Sequence, residues 1–169
     1  MKYTPNPKML EKAGLTEALP FIMMIPSYRF GVDENGSDKD NLYLSLFTNI
    51  FSNEYGGGFT PGHGQPILGE ILNEMLKNAM EHGNKFDPKK YATIAVWFGK
   101  RGVVFGFRDE GDFFSLKSTK GKMESRIPIE STRAQDPSGL GTLGLCEVAD
   151  EIHVNTEEKT LYVLYMIKT

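Results

Sequence analysis

The sequence predicts an α+β protein, a two-layer α/β sandwich with a mixed, mostly antiparallel sheet and helices on one face. Three observations carry this. Predicted strands and helices are grouped as strand, helix, helix, two strands, loop, helix, two strands, which disfavours a doubly wound parallel sheet. Two pairs of apolar runs are each joined by a short polar link, the pattern of antiparallel hairpins. A run from Pro66 to Asn84 carries apolar residues at spacings of three and four, so it forms an amphipathic helix.

Residues 1–19 read as a loosely attached N-terminal extension with a short helix at Pro7–Ala13, and residues 20–169 as the domain proper. Phe21–Ile25 is an apolar run between Pro20 and Pro26 and reads as a buried strand. The polar stretch Gly31–Asp40 ends on a residue suited to cap a helix over Asn41–Tyr55. Residues 56–66 hold five glycines and two prolines and form an irregular connection. Pro66 suits the first turn of the central helix. Gly83 and Asn84 both accept a left-handed C-cap, which sets its end. Strands follow at Ala92–Phe98 and Val103–Arg108 around the tight link Gly99–Gly102. Residues 115–138 are polar and aperiodic, a long loop of roughly two dozen residues that reads as a lid, a binding loop or a disordered segment. Leu143–Asp150 reads as a helix, and the strands Glu151–Asn155 and Thr160–Ile167 close the chain.

Composition narrows the function classes. A 169-residue chain is most simply one domain, and 40% hydrophobic with 24% charged residues is ordinary for a globular protein. A net charge of −3 offers no case for binding nucleic acid or an anionic membrane. The single cysteine, Cys146, excludes an internal disulfide and a cysteine-rich zinc site and suits a cytoplasmic protein. No signal-peptide pattern opens the chain, and no apolar run approaches the ~18 residues of a membrane helix.

On the central helix Glu74, Asn78 and His82 follow at steps of four and stack as a column on the edge of the apolar stripe. A carboxylate, an amide and an imidazole on that margin need partners, from protein or ligand. Alone, the column reads as an ordinary helix edge satisfied by its neighbours. Two further motifs change that balance: Asp109-x-Gly111 at the end of a strand, and Gly139-x-Gly141-Thr142 before a helix. Gly56-Gly57-Gly58 lacks the following Gly-Lys-Ser/Thr of a phosphate loop and reads as a linker.

In this order and spacing the three motifs resemble those of the GHKL ATPases with the Bergerat nucleotide-binding fold. The superfamily includes gyrase, a class of heat-shock chaperones, histidine kinases and the MutL repair proteins. The chain looks most like the anti-sigma factor serine/threonine kinases of bacterial partner switching, over about residues 20–167. The resemblance implies ATP and Mg²⁺ as cofactors. Glu74 matches the family's general base and Asn78 its magnesium ligand. Asp109 matches the acceptor of the adenine amino group, and Gly111 lets the base approach the backbone. Gly139, Gly141 and Thr142 match the phosphate-binding turn, and Thr160 a threonine near the adenine. His82 joins the candidate cofactor-binding residues, although by itself it reads as a structural hydrogen-bonding residue.

These roles suit the residue types. A hard cation such as Mg²⁺ takes a side-chain carbonyl beside its waters. A carboxylate only accepts hydrogen bonds and so prefers an exocyclic amine to a carbonyl. The second motif departs from the family's D-x-G-x-G, reading D-E-G-D-F with Phe113 in place of the second glycine. Arg126 and Arg133 in the 115–138 loop are alternative candidates for reaching a γ-phosphate.

The function so implied is an ATP-dependent serine/threonine kinase of the anti-sigma type. It would bind a sigma factor or other regulator and phosphorylate a small antagonist protein. A nucleotide-gated interaction module without phosphotransfer is the alternative. A detached histidine-kinase catalytic domain is disfavoured, since His63, His82 and His153 all lie outside any dimerisation helix. A homodimer is expected only by analogy with relatives.

Overall fold

A computed structural model describes residues 3–15, 19–27, 49–51, 53–54, 72, 75–111 and 149–167. The described elements are helix α1 (Pro7–Ala13) and five strands, β1 (Phe21–Pro26), β2 (Tyr91–Phe98), β3 (Gly102–Asp109), β4 (Glu151–Asn155) and β5 (Thr160–Met166). Ahead of β2 stands the end of the central helix, whose last turn, Ala79–Gly83, is π-helical. The strands form one sheet in the order β1-β2-β3-β5-β4, and every pairing is antiparallel.

All five expected strands are present within a residue or two. Their alternation, read with the register, divides the sheet into two faces. The front face carries Ile94, Val96, Val103, Phe105, Phe107, Leu161 and Val163, which pack with Leu72, Met75, Leu76, Ala79 and Met80 of the central helix. This is the predicted helix-on-sheet layer, and Phe51 joins it against Phe98 and Phe105.

The back face is covered as well, beyond the expected scheme. Ala95, Trp97, Val104, Tyr162 and Leu164 pack there with Met9 and Ala13 of α1. The expectation of a loosely attached N-terminus is therefore corrected: Met9 and Ala13 are fully buried. The helix itself forms for local reasons. Asn6 caps it by accepting from Lys8 N at 3.0 Å, Pro7 supplies a preset first turn, and Gly14 ends it in the left-handed region at φ 82°. Its C-terminus is tied to the β2–β3 hairpin, because Arg101 N donates to the Ala13 carbonyl at 2.9 Å.

The expected helices over 41–55 and 143–150, and the 115–138 loop, lie largely outside the described residues. Within them, 49–51 and 53–54 are helical, whereas Ala149 and Asp150 are not. Among the described residues no helix is long and apolar enough to cross a membrane.

Candidate functional site

The central helix ends against the end of β3, where the first two sequence motifs meet. The geometry begins with the π turn. Asn84 N donates to the Ala79 carbonyl at 2.8 Å, five residues back, and Phe86 N to the Met80 carbonyl at 2.8 Å. A π turn is wider than an α turn and breaks the i, i+4 stacking of side chains. The predicted column is therefore interrupted: Asn78 is buried, while His82 is exposed. The predicted cap is corrected too. Asn84 is right-handed at φ −85°, and the left-handed residues are Lys85 and Phe86.

Gly83 has a different reason to be glycine. A Cβ there would lie 2.3 Å from Cγ of Asp109, so the Asp109 carboxylate sits directly against the Gly83 backbone. Gly111 is tighter still, since its Cβ would lie 1.7 Å from the Gly83 carbonyl oxygen. Asp109 Oδ1 accepts from Gly111 N at 2.8 Å. The end of the first motif and the whole of the second thus form one contact set, although they are far apart in sequence.

Two groups here are electrostatically expensive. Asp109 is buried, and that desolvation raises its pKa above the ordinary carboxylate value. The Gly111 N–H and, more weakly, Lys159 and Lys90 act in the opposite direction without cancelling it. Asn78 is 4% exposed, and its Nδ2 is the one buried side-chain polar atom among the described residues with no hydrogen-bond partner. A buried amide left without a partner costs about 1–3 kcal/mol. An unsatisfied donor on a helix and an acceptor on a strand end suit a ligand carrying both kinds of polar group.

Asn84, expected only as a helix cap, has a bracing role that the sequence did not show. It is fully buried, its Nδ2 donates to Ser27 Oγ at 2.7 Å, and its Oδ1 accepts from Glu110 N at 2.8 Å. One side chain therefore joins the end of β1, the helix end and the turn after β3. Glu110 adds a second tie by accepting from Tyr91 N at 2.8 Å. No local pattern distinguishes such a brace from an ordinary helix-ending asparagine, and the Asn84 position alone was the signal.

Thr160 does not join this group. It stands beside Arg108, and its Oγ1 accepts from Arg108 Nε at 2.9 Å and Nη2 at 2.7 Å. Arg108 also lies over the Tyr3 ring, 4.6 Å from its centroid, on the back face. Asp109, next in the strand, points to the front. The Thr160 hydroxyl, expected near the adenine, is engaged by Arg108 on the face opposite Asp109. Glu74, Gly139, Gly141 and Thr142 lie outside the described residues, as do Arg126, Arg133 and Phe113. Among the described residues no three His, Cys, Asp or Glu side chains cluster as metal ligands. Asn78 is a residue type whose side-chain carbonyl a hard cation takes beside water and phosphate oxygens.

The site thus joins a helix-backed antiparallel sheet to a buried aspartate at a strand end, with a tight glycine on either side. A family model described as the histidine kinase-like ATPase domain matches residues 68–168, more than half of the chain. The chain belongs to that family, whose domains bind ATP, usually with Mg²⁺. The match spans the central helix, β2–β5 and all three motifs, and leaves α1 and β1 outside it. No curated protein matches the chain.

Proposed function

We propose that this chain binds ATP with Mg²⁺ between the central helix and the β3 end. In this reading it works as an anti-sigma-factor-type serine/threonine kinase in bacterial partner switching. The observation that carries the nucleotide reading is a buried Asp109 packed against Gly83, itself in contact with Gly111, together with a buried, unpartnered Asn78 amide five residues before Gly83 on the same helix. Asp109 would accept from the adenine amino group, and Gly111 and Gly83 would leave room for the base. The Asn78 carbonyl would ligate Mg²⁺, which when bound neutralises phosphate charge. Gly139, Gly141 and Thr142 would present backbone and hydroxyl donors to phosphate. Glu74, one helical turn before Asn78, would accept the proton of the attacking hydroxyl. His82, exposed at the helix end, would serve only at the margin.

The kinase reading rests on the resemblance of its motifs to the anti-sigma branch. It implies a sigma factor or other regulator as bound partner, a small antagonist protein as phosphate acceptor, a cytoplasmic location and a homodimer. The D-E-G-D-F motif, in which Phe113 replaces a glycine of the family pattern, leaves open a second reading, a nucleotide-gated binding module without transfer.

Calorimetry with ATP, with and without Mg²⁺, tests the site. Wild type binds, Asn78→Ala loses the magnesium-dependent part, and absence of binding to wild type would end the nucleotide reading. Labelled ATP with candidate antagonist proteins then separates the two functions. Transfer that is lost in Glu74→Ala while binding persists supports the kinase, and ATP-dependent partner binding with no transfer supports the module.

A further inference from the structure

The back of the sheet, directly behind Asp109, carries a polar cluster that the nucleotide reading does not use. Thr4 N donates to Tyr162 Oη at 2.9 Å and to Glu158 Oε2 at 3.1 Å, and Thr4 Oγ1 donates to Glu158 Oε1. The Tyr162 hydroxyl donates to Glu158 Oε2 at 2.7 Å. Arg108 lies between the Tyr3 ring, Thr160 and Glu158, the last at 3.9 Å. Tyr3 also hydrogen-bonds Thr93, the cross-strand neighbour of Arg108 on β2.

Residues 3–15 therefore grip the far side of the strand end that bears the candidate adenine acceptor. The grip extends over β2 through Thr93, β3 through Arg108, and the β4–β5 turn through Glu158. Arg108 and Asp109 are consecutive residues on opposite faces, so a clamp on one restrains the peptide that orients the other. The turn is held in the same way: Glu158 is fixed at the back, while its neighbour Lys159 adopts φ 51° at the Asp109 end of the sheet.

We propose that residues 3–15 form a back-face strap that preorganises Asp109 for nucleotide, so that strap docking and nucleotide binding strengthen each other. Tyr3, Thr4 and Arg108 are positioning residues in this scheme. This rests on the nucleotide reading above but goes beyond the family, since the strap lies outside the residues matched by the family model. The physical basis is shared ordering: a segment already fixed by one partner loses less freedom when the second binds. The coupling must be reciprocal.

The test is amide hydrogen exchange of residues 3–15 in the full chain, with and without saturating ADP and Mg²⁺, alongside calorimetry. Nucleotide should slow exchange in the strap by about fivefold or more. Tyr162→Phe keeps the ring in place and removes the hydroxyl between Thr4 and Glu158. It should speed strap exchange and weaken ADP affinity several-fold with no contact to the nucleotide. Bound ADP with unchanged strap exchange in wild type overturns the proposal, as does a loosened strap with unchanged affinity in Tyr162→Phe. Absence of ADP binding to wild type is a different result: it removes the nucleotide reading itself, and the strap coupling falls with it.

Discussion

The two faces at the Asp109 end of the sheet handle polar groups in opposite ways. On the back, Thr4, Tyr162, Glu158, Thr160 and Arg108 bond one another. On the front, Asn78 Nδ2 has no partner among the described residues, and Asp109 carries a raised pKa from burial. Both clusters are polar residues at the edge of an apolar core. The back one completes itself and so reads as structure, whereas the front one is left wanting and so reads as a place for a ligand. Internal satisfaction, rather than polarity, separates a brace from a site.

The largest test of this contrast is steric. At Gly111 an added methyl would meet backbone, the Gly83 carbonyl, which cannot swing aside. Gly111→Ala should cost about 3 kcal/mol. At Gly83 the methyl meets the Asp109 carboxylate, a side chain that can rotate, so Gly83→Ala should cost only about 1–2 kcal/mol and displace the acceptor. Chemical denaturation measures both. Equal costs would mean that the two glycines are not packed as described.

Next is the acceptor itself. Asp109→Asn retains an oxygen for the Gly111 N–H but removes the charge that burial disfavours. Nucleotide affinity should fall about 10- to 100-fold, the loss of one hydrogen bond to a charged group, while Tm of the ligand-free protein rises. A variant that lost stability and kept affinity would place the aspartate in the brace class instead.

A matched pair of smaller changes sharpens the contrast. Asn78→Leu replaces an unsatisfied amide with an apolar side chain and should stabilise the ligand-free fold by about 1 kcal/mol. Tyr162→Phe deletes a satisfied hydroxyl and should destabilise it by about 1 kcal/mol. Opposite signs from two buried polar deletions are the signature of the two classes, read from denaturation midpoints.

How far this was legible in the sequence follows the same division. The five strands came from short apolar runs set off by polar links or, for β1, by flanking prolines, because a strand covered on both faces reads as a continuous apolar run. Asp109 and Asn78 came from motif spacing, and the structure brings Asp109 to the helix end at Gly83. Face assignment did not come through. Thr160 and Asp109 are both near strand ends, and only the β3–β5 register, with Phe107 opposite Leu161, shows that Thr160 falls beside Arg108 on the back. Gly83 looked like a cap because glycine serves both left-handed turns and close approaches, and the sequence does not distinguish them. The docking of α1 was missed because the back-face residues Ala95, Trp97, Val104 and Tyr162 read as strand residues without declaring what covers them.

The smallest effect is a titration in which the two faces should move apart. For Glu158, burial pushes the pKa up, but the bonds from Thr4 and Tyr162, and Arg108 nearby, outweigh it and hold it below its ordinary 4.5. Its contribution is present above that value and is lost as pH falls through the lowered folded pKa. Asp109 is raised above its ordinary 3.8, so its folded form binds the proton more tightly than the unfolded chain. Stability from this group therefore rises as pH falls through its folded pKa, and is complete below about 3.8. Relative to wild type, Glu158→Gln should be less stable at neutral pH by under about 1 kcal/mol, with the gap closing in acid. Asp109→Asn should be the more stable at neutral pH, with its gap also closing in acid. Denaturation of the three proteins between neutral and acid pH checks this. Two gaps of the same sign would show that the faces do not differ in the way their hydrogen bonding implies.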